Sequence, residues 1–267
     1  MIETAVLNVA GRATLPFQAA RADRSFGTAF WYNDLVEVAG EREVIRQYLV
    51  AADRRTRYEI GQLTLRDGLV EPEMPADELV MPAFAKKWSR LGALGVAVMP
   101  TTDLHIHAER KGWRWTTDEI TSGLAAQPDD IAAVGPDPLP AYLLGHEVVT
   151  ETGSKHPDRP QVLLPGTVSR ATPDAPVAWT GPLPDGCSGA PVFAGLPMPD
   201  NQTKLICLGL VLPTESTQDP QDTEGAQDPE SLGEEPPAGG TVITFDLLRP
   251  AIHALTPSRK RRWLQRG

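Results

Sequence analysis

The chain has 267 residues, with 25 Lys and Arg against 35 Asp and Glu, and a net charge of −10. That balance argues against a nucleic-acid partner, whose phosphates demand a broad basic surface. Pro (26) and Gly (23) make up nearly a fifth of the residues and aromatics only 6%, so many turns and few long helices follow, and the composition points to an all-β or β-rich fold. Two cysteines, Cys187 and Cys207, cannot build a disulfide framework for a chain this size, and two free thiols are the simpler expectation.

The opening MIETAVLNVAGRATLPF lacks a basic segment followed by a continuous apolar one, so no secretory leader is expected. No window reaches the roughly 18 apolar residues of a membrane helix, and the expectation is a soluble, cytoplasmic protein with no membrane partner. The first strand is expected at GTAFWYND, residues 27–34, where three consecutive aromatics supply β propensity. VIRQYLVAAD (44–53) pairs with it as a hairpin, and YEIGQLTLRDG (58–68) alternates Ile60, Leu63 and Leu65 with polar neighbours before an Asp-Gly turn. LGVAVMP (94–100) is a continuous apolar run stopped by Pro, as in a buried strand. TTDEITSGLAAQ (116–127) opens on a Thr with acidic residues in its first turn, which predicts a short helix. KGWRW (111–115) is expected to pack between two units, with the cationic stems covering the rings.

Strands resume at AYLLGHEV, QVLLPGTVSR, PVAWTG, GAPVF and KLICLGLVL, spaced by Gly and Pro turns in the manner of a sandwich or barrel. Residues 213–240 are acidic, poor in apolar residues and without Lys or Arg, so a disordered loop is expected there. GTVITFDLLRPAIHAL then returns to a strand followed by a helix starting near Asp246, and the chain ends on a basic tail, SRKRRWLQRG. The apolar strands flanking the acidic segment look complementary, so one continuous unit with an insertion is expected.

The most chemically pointed stretch is DGCSGAPVF, residues 185–193. Glycines there permit backbone conformations that turn successive N–H groups inward, and the N–H groups of Gly186 and Ser188 are placed to form an oxyanion hole. In order, GTAFWY, YLVAAD, GVAVMP, LLPGTVSR and DGCSGAPVF resemble the trypsin-like serine peptidase family, in particular its intracellular bacterial branch. The serine motif is the specific element; the others gain weight through their order.

The resemblance implies an all-β, trypsin-like double β-barrel with a short helix between the barrels and a C-terminal helix. The peptidase-like domain then spans 1–248, with barrels near 20–115 and 138–248 and the insertion at 213–240; residues 249–267 form the terminal helix and tail. It further implies peptide-bond hydrolysis by a Ser-His-Asp triad in the inter-barrel cleft. Carried over residue by residue, Ser188 matches the nucleophile, and Gly186 with Ser188 matches the oxyanion-hole donors. The histidine position falls on Asp53 or Arg54, and the triad aspartate position on Gly95. A neutral serine is a poor nucleophile without a base; Arg54 does not deprotonate, an ordinary carboxylate at Asp53 is a far weaker base than imidazole, and Gly95 has no side chain.

The five histidines are His105, His107, His146, His156 and His253. His105 and His107 share one face if the chain is extended there, the one arrangement suggesting a metal, but a surface loop is the simpler expectation. His146 is expected to be structural, His156 lies in a polar loop, and His253 on the terminal helix. Cys187 is expected to pack rather than react, and RRTR (54–57) makes the cleft positive, a solvated turn or a site for an acidic peptide or phosphate. The leading expectation is a catalytically impaired protease homologue that binds a peptide or protein segment in the cleft, with no cofactor and no metal. The alternatives are an active serine endopeptidase using His105, His107 or Asp53 as base, and a structural domain in which Ser188 is a relic.

Overall fold

A computed structural model describes residues 2–21, 24–39, 42–73, 78–150, 157–199, 202–214 and 239–255. The acidic segment (apart from its ends), His156 and the basic tail lie outside them.

Fifteen strands and five helices follow one another in the described chain. Helix α1 (Ile2–Ala10) precedes β1 (Thr14–Ala19), β2 (Gly27–Ala39), β3 (Arg42–Ala52), β4 (Ile60–Thr64), β5 (Val70–Glu71) and β6 (Glu78–Pro82). Then come α2 (Phe84–Lys87), β7 (Ser89–Arg90), β8 (Val96–Pro100), α3 (Thr102–Arg110), β9 (Arg114–Trp115) and α4 (Pro128–Ala132). The second half holds β10 (Leu139–His146), β11 (Gln161–Ser169), β12 (Val177–Thr180), β13 (Pro191–Pro197), β14 (Thr203–Pro213), β15 (Gly240–Thr244) and α5 (Phe245–Leu255).

Thirteen of the strands form two units, and β5 and β9 pair in a separate two-stranded sheet. The first is a curled seven-stranded sheet in the order β6-β4-β1-β2-β3-β8-β7, and the second is a closed barrel, β10-β11-β12-β15-β14-β13. The hydrogen-bonded ladder of the first unit does not close, and it begins at Thr14, earlier than the boundary near residue 20. The expected β2–β3 hairpin is present, antiparallel through Phe30↔Val50 and Trp31↔Leu49. Strands β14 and β15 pair directly, with Pro213 opposite Gly240, so the acidic segment is inserted between neighbouring strands of one barrel.

Why the central strands read as continuous apolar runs follows from period-two geometry. Ala29, Trp31, Leu49, Ala51, Ala97 and Met99 point to a core inside the curled sheet. Their neighbours Phe30, Tyr32, Tyr48, Val50, Val96 and Val98 point to a middle core shared with Leu144, Phe193, Cys207 and Leu210 of the barrel. A third core, with Leu143, Trp179, Val192, Ile206 and Leu208, fills the barrel. Over residues 27–32, 48–52 and 96–99 both faces of β2, β3 and β8 are therefore buried, and no polar alternation is left to read there.

Three expectations are corrected by the structure. Residues 116–127 are not helical: Ile120 exchanges backbone bonds with Trp31 and Asn33, and Leu124 and Ala126 do the same with Cys207. Tertiary pairing to both units outweighs the local helix signal, and the short helix falls just beyond, on Pro128–Ala132, where Gln127 and Asp130 form a capping box ahead of Pro128. His105 and His107 lie on α3, not on an extended loop, and residues two apart on a helix do not share a face. Trp113 and Trp115 pack 5.1 Å apart inside the curled sheet rather than between the units. Helix α1 was not anticipated; Val6 and Ala10, spaced by four, bury its inner face.

Helix α5 starts at Phe245, beside the predicted start at Asp246, and locks the middle core. Phe245 meets Phe30 edge-on at 6.5 Å and Tyr32 at 5.0 Å. Phe245→Ala is expected to cost about 3–5 kcal/mol of stability, the usual penalty for an aromatic deleted from a packed core; urea unfolding read by tryptophan fluorescence checks it.

Candidate functional site

The loop between β12 and β13 meets the ends of β2 and β3 where the two units join. Gly189 has φ +90°, and a Cβ there would stand 2.6 Å from the Thr28 carbonyl oxygen and 2.8 Å from the Ala52 amide nitrogen. Only glycine permits both that dihedral and that approach. Around it the loop is pinned on several sides. The Thr28 N–H donates to the Ser188 carbonyl at 3.1 Å, the Thr28 hydroxyl donates to the Gly186 carbonyl at 2.7 Å, and the His146 N–H donates to that hydroxyl oxygen at 3.1 Å. Gly189 N–H reaches the Val211 carbonyl at 2.9 Å.

Ser188 is 6% exposed. Among the described residues its hydroxyl has no hydrogen-bond partner and its N–H donates to no acceptor. Gly186, at φ +88°, has its N–H already engaged, donating to the Asp185 carboxylate at 2.9 Å. Of the two donors assigned to an oxyanion hole, one is open and one is covered by a neighbouring anion.

Asp53 and Gly95 are brought together: the Asp53 N–H donates to the Gly95 carbonyl at 2.9 Å. Gly95 has φ +69°, and a Cβ there would meet Leu212 at 3.0 Å. The Asp53 side chain is 6% exposed; one oxygen accepts from Arg57 and the other from Arg90 Nε at 3.0 Å. A carboxylate held by two guanidiniums has neither oxygen directed to a serine proton. Arg54 is exposed. Arg55 is 21% exposed in its side chain, and its Nη2 lies 3.9 Å from Asp185 Oδ1.

The four described histidines are committed elsewhere. His105 bonds the Gln47 side chain at 2.6 Å, and His107 packs edge-on against Trp113. His253 pairs with buried Asp34 at 2.9 Å. His146, fully buried, sits closest to the loop but is closed off within its own network. Its Nδ1 is 3.2 Å from the Arg159 carbonyl oxygen, which can only accept, so Nδ1 carries the proton. Its Nε2 accepts from the Thr14 hydroxyl at 3.1 Å, and Gln161 donates to that hydroxyl oxygen at 2.7 Å.

Burial pushes the Cys187 thiol up to about 12 and raises Cys207 as well; both are free and buried. Arg159 is the residue that sequence reasoning passed over. It is 7% exposed, burial lowers its guanidinium to about 10, and its Nη2 lies 3.3 Å from where a Cβ would stand on Gly186. Nothing around it in the sequence marks it, whereas Arg55 and Asp185 lay within stretches already singled out. Among the described residues, no group of three His, Cys, Asp or Glu is arranged to hold a metal ion. No helix among them is long and apolar enough to cross a membrane.

No family model matches the chain, and no curated protein matches it. Among solved structures it is similar to the crystal structure of the serine endoprotease from Yersinia pestis, with a TM-score of 0.49 and 11% identity over 96% of this chain. The chain spans 66% of that protein's length, just under two thirds. The mostly-β chain, with a closed six-stranded barrel beside a curled seven-stranded sheet and a glycine-flanked serine loop at their junction, is consistent with the double-barrel architecture expected from the sequence.

Two measurements check the site. His146 is held neutral, its pKa pushed down to about 3 chiefly by burial. As pH falls from about 6.5 toward 3 the unfolded chain binds a proton that the folded one refuses, so stability is lost by about 1.4 kcal/mol per pH unit over that window. His146→Gln is expected to be less stable at neutral pH but to lose less on acidification, so the gap to the parent narrows between urea melts at pH 7 and pH 4. Both thiols are expected to resist a soluble disulfide reagent in the folded protein and to react once it unfolds.

Proposed function

We propose that this protein is a non-hydrolysing homologue of trypsin-like serine peptidases that binds a peptide or protein segment in the cleft between its two units. The observation that carries the reading is what surrounds Ser188. The position expected for a base holds Asp53, with both oxygens engaged by Arg57 and Arg90, and the position expected for the orienting acid is Gly95. A serine hydroxyl with no proton acceptor stays a weak nucleophile, and loss of the other triad members lowers turnover by about four to six orders of magnitude. The loop itself is kept, with the Ser188 N–H open, and such a loop can still receive a peptide carbonyl or carboxylate.

An active endopeptidase is the second reading, favoured by the unbonded Ser188 hydroxyl; His156, outside the described residues, is a further base to test. A fluorophosphonate probe, applied across about pH 6 to 9, the range over which a histidine base loses its proton, separates the two. No labelling of the parent protein is expected. Stoichiometric labelling that vanishes in Ser188→Ala overturns the non-hydrolysing reading, and its loss in His156→Ala would then name the base.

A further inference from the structure

The charges around the loop are arranged about an anion. Asp185 Oδ1 accepts the Gly186 N–H at 2.9 Å and lies 3.9 Å from the Arg55 guanidinium. Its side chain is nonetheless 57% exposed, while that of Arg55 is only 21% exposed. Among the described residues Arg55 makes no hydrogen bond of its own; Asp185 is the one ionic partner it has, beyond hydrogen-bond reach. Arg159 stands beside Gly186, 7% exposed; its Nη atoms donate to the Phe17 and Gly27 carbonyls and the Gln18 side chain, its guanidinium lies over Phe26, its Nε has no hydrogen-bond partner, and no carboxylate stands within ion-pair distance among the described residues. The Asp185 charge partly offsets the burial that lowers the Arg159 guanidinium. Arg55, half-buried, and Arg159, buried beside Gly186, thus flank the loop on which the Ser188 N–H is open and on which Asp185 presents a solvent-facing carboxylate.

We infer that Gly186, Ser188 and Arg55, with Arg159 beneath, form an anion-binding site for the carboxylate of a bound peptide, and that Asp185 is its resident intrachain occupant. The inference rests on the non-hydrolysing reading of the same loop and names its ligand. Two backbone N–H donors beside a planar guanidinium match a two-oxygen carboxylate, and the group already in place is one. Because Asp185 is tethered, it competes at high effective concentration and lowers the apparent affinity of the parent protein for any outside anion. The peptide's α-carboxylate and an acidic side chain share this chemistry.

Isothermal titration of the full chain with benzoate, and with a short peptide ending in Asp-Glu, tests it. Asp185→Ala is expected to bind both at least about tenfold more tightly than the parent, as removal of an internal competitor requires. In that background Arg55→Ala abolishes the gain and Arg55→Lys retains part of it, with circular dichroism melts confirming that each variant folds. A peptide amidated at its C-terminus that binds equally well assigns the site to the side chain; loss on amidation assigns it to the α-carboxylate. Equal benzoate affinity for Asp185→Ala and the parent, or a gain that survives Arg55→Ala, overturns the inference while an unlabelled Ser188 leaves the broader reading standing. Labelling of Ser188 with the benzoate gain intact has the opposite consequence.

Discussion

The contact on which the site depends is the approach of Gly189 to the backbone of Thr28 and Ala52. No side chain larger than hydrogen fits between them, so the loop cannot drift from the strand ends without opening the junction of the two units. Each pinning bond at Ser188, Gly186 and Gly189 is backbone-based or runs through the Thr28 hydroxyl. The loop's geometry is therefore independent of any base.

The middle core supplies the rigidity behind that contact. It is built from alternate residues of β2, β3 and β8, from the outward side of the barrel, and from the inner faces of α1 and α5. Because it spans both units, the strand ends beneath the loop are held from two directions. The same dryness dictates the behaviour of the polar groups trapped near it. His146 stays neutral at ordinary pH, and Cys187 stays protonated, since neither finds water or a counter-charge able to offset its desolvation.

Electrostatics around the cleft run against the net charge of −10. Arg55 and Arg57 from the turn Asp53–Thr56 and its flank, Arg90 from β7 and Arg159 from the segment before β11 gather near the junction of the two units, and they divide into two sets. Arg57 and Arg90 neutralise Asp53 from the solvent side. Arg55 and Arg159 approach the serine loop, where the nearest negative group is Asp185. A local field of this kind is a matter of placement, and overall charge says little about it.

Much of this was legible in the chain. The order of apolar runs gave the barrel strands, the β2–β3 hairpin, β4, β8 and the terminal helix, though not β1 or β6, because buried β-strands announce themselves by β-branched and aromatic residues between Gly and Pro turns. DGCSGAPVF marked the loop, and the absence of any histidine before His105 excluded a histidine at the position expected for the base, Asp53 or Arg54. The sequence by itself determined which residue types stand at Asp53, Gly95 and Ser188. Only the tertiary structure decided what they touch. It made the 116–127 segment a stitch between units instead of a helix, and it put His105 and His107 on a helix. It also turned Asp53 toward two arginines and set Asp185 over the Gly186 N–H. Local propensities are overridden when distant backbone groups offer partners, and Arg159 becomes a neighbour of Gly27 and Gly186 only after the chain has closed on itself.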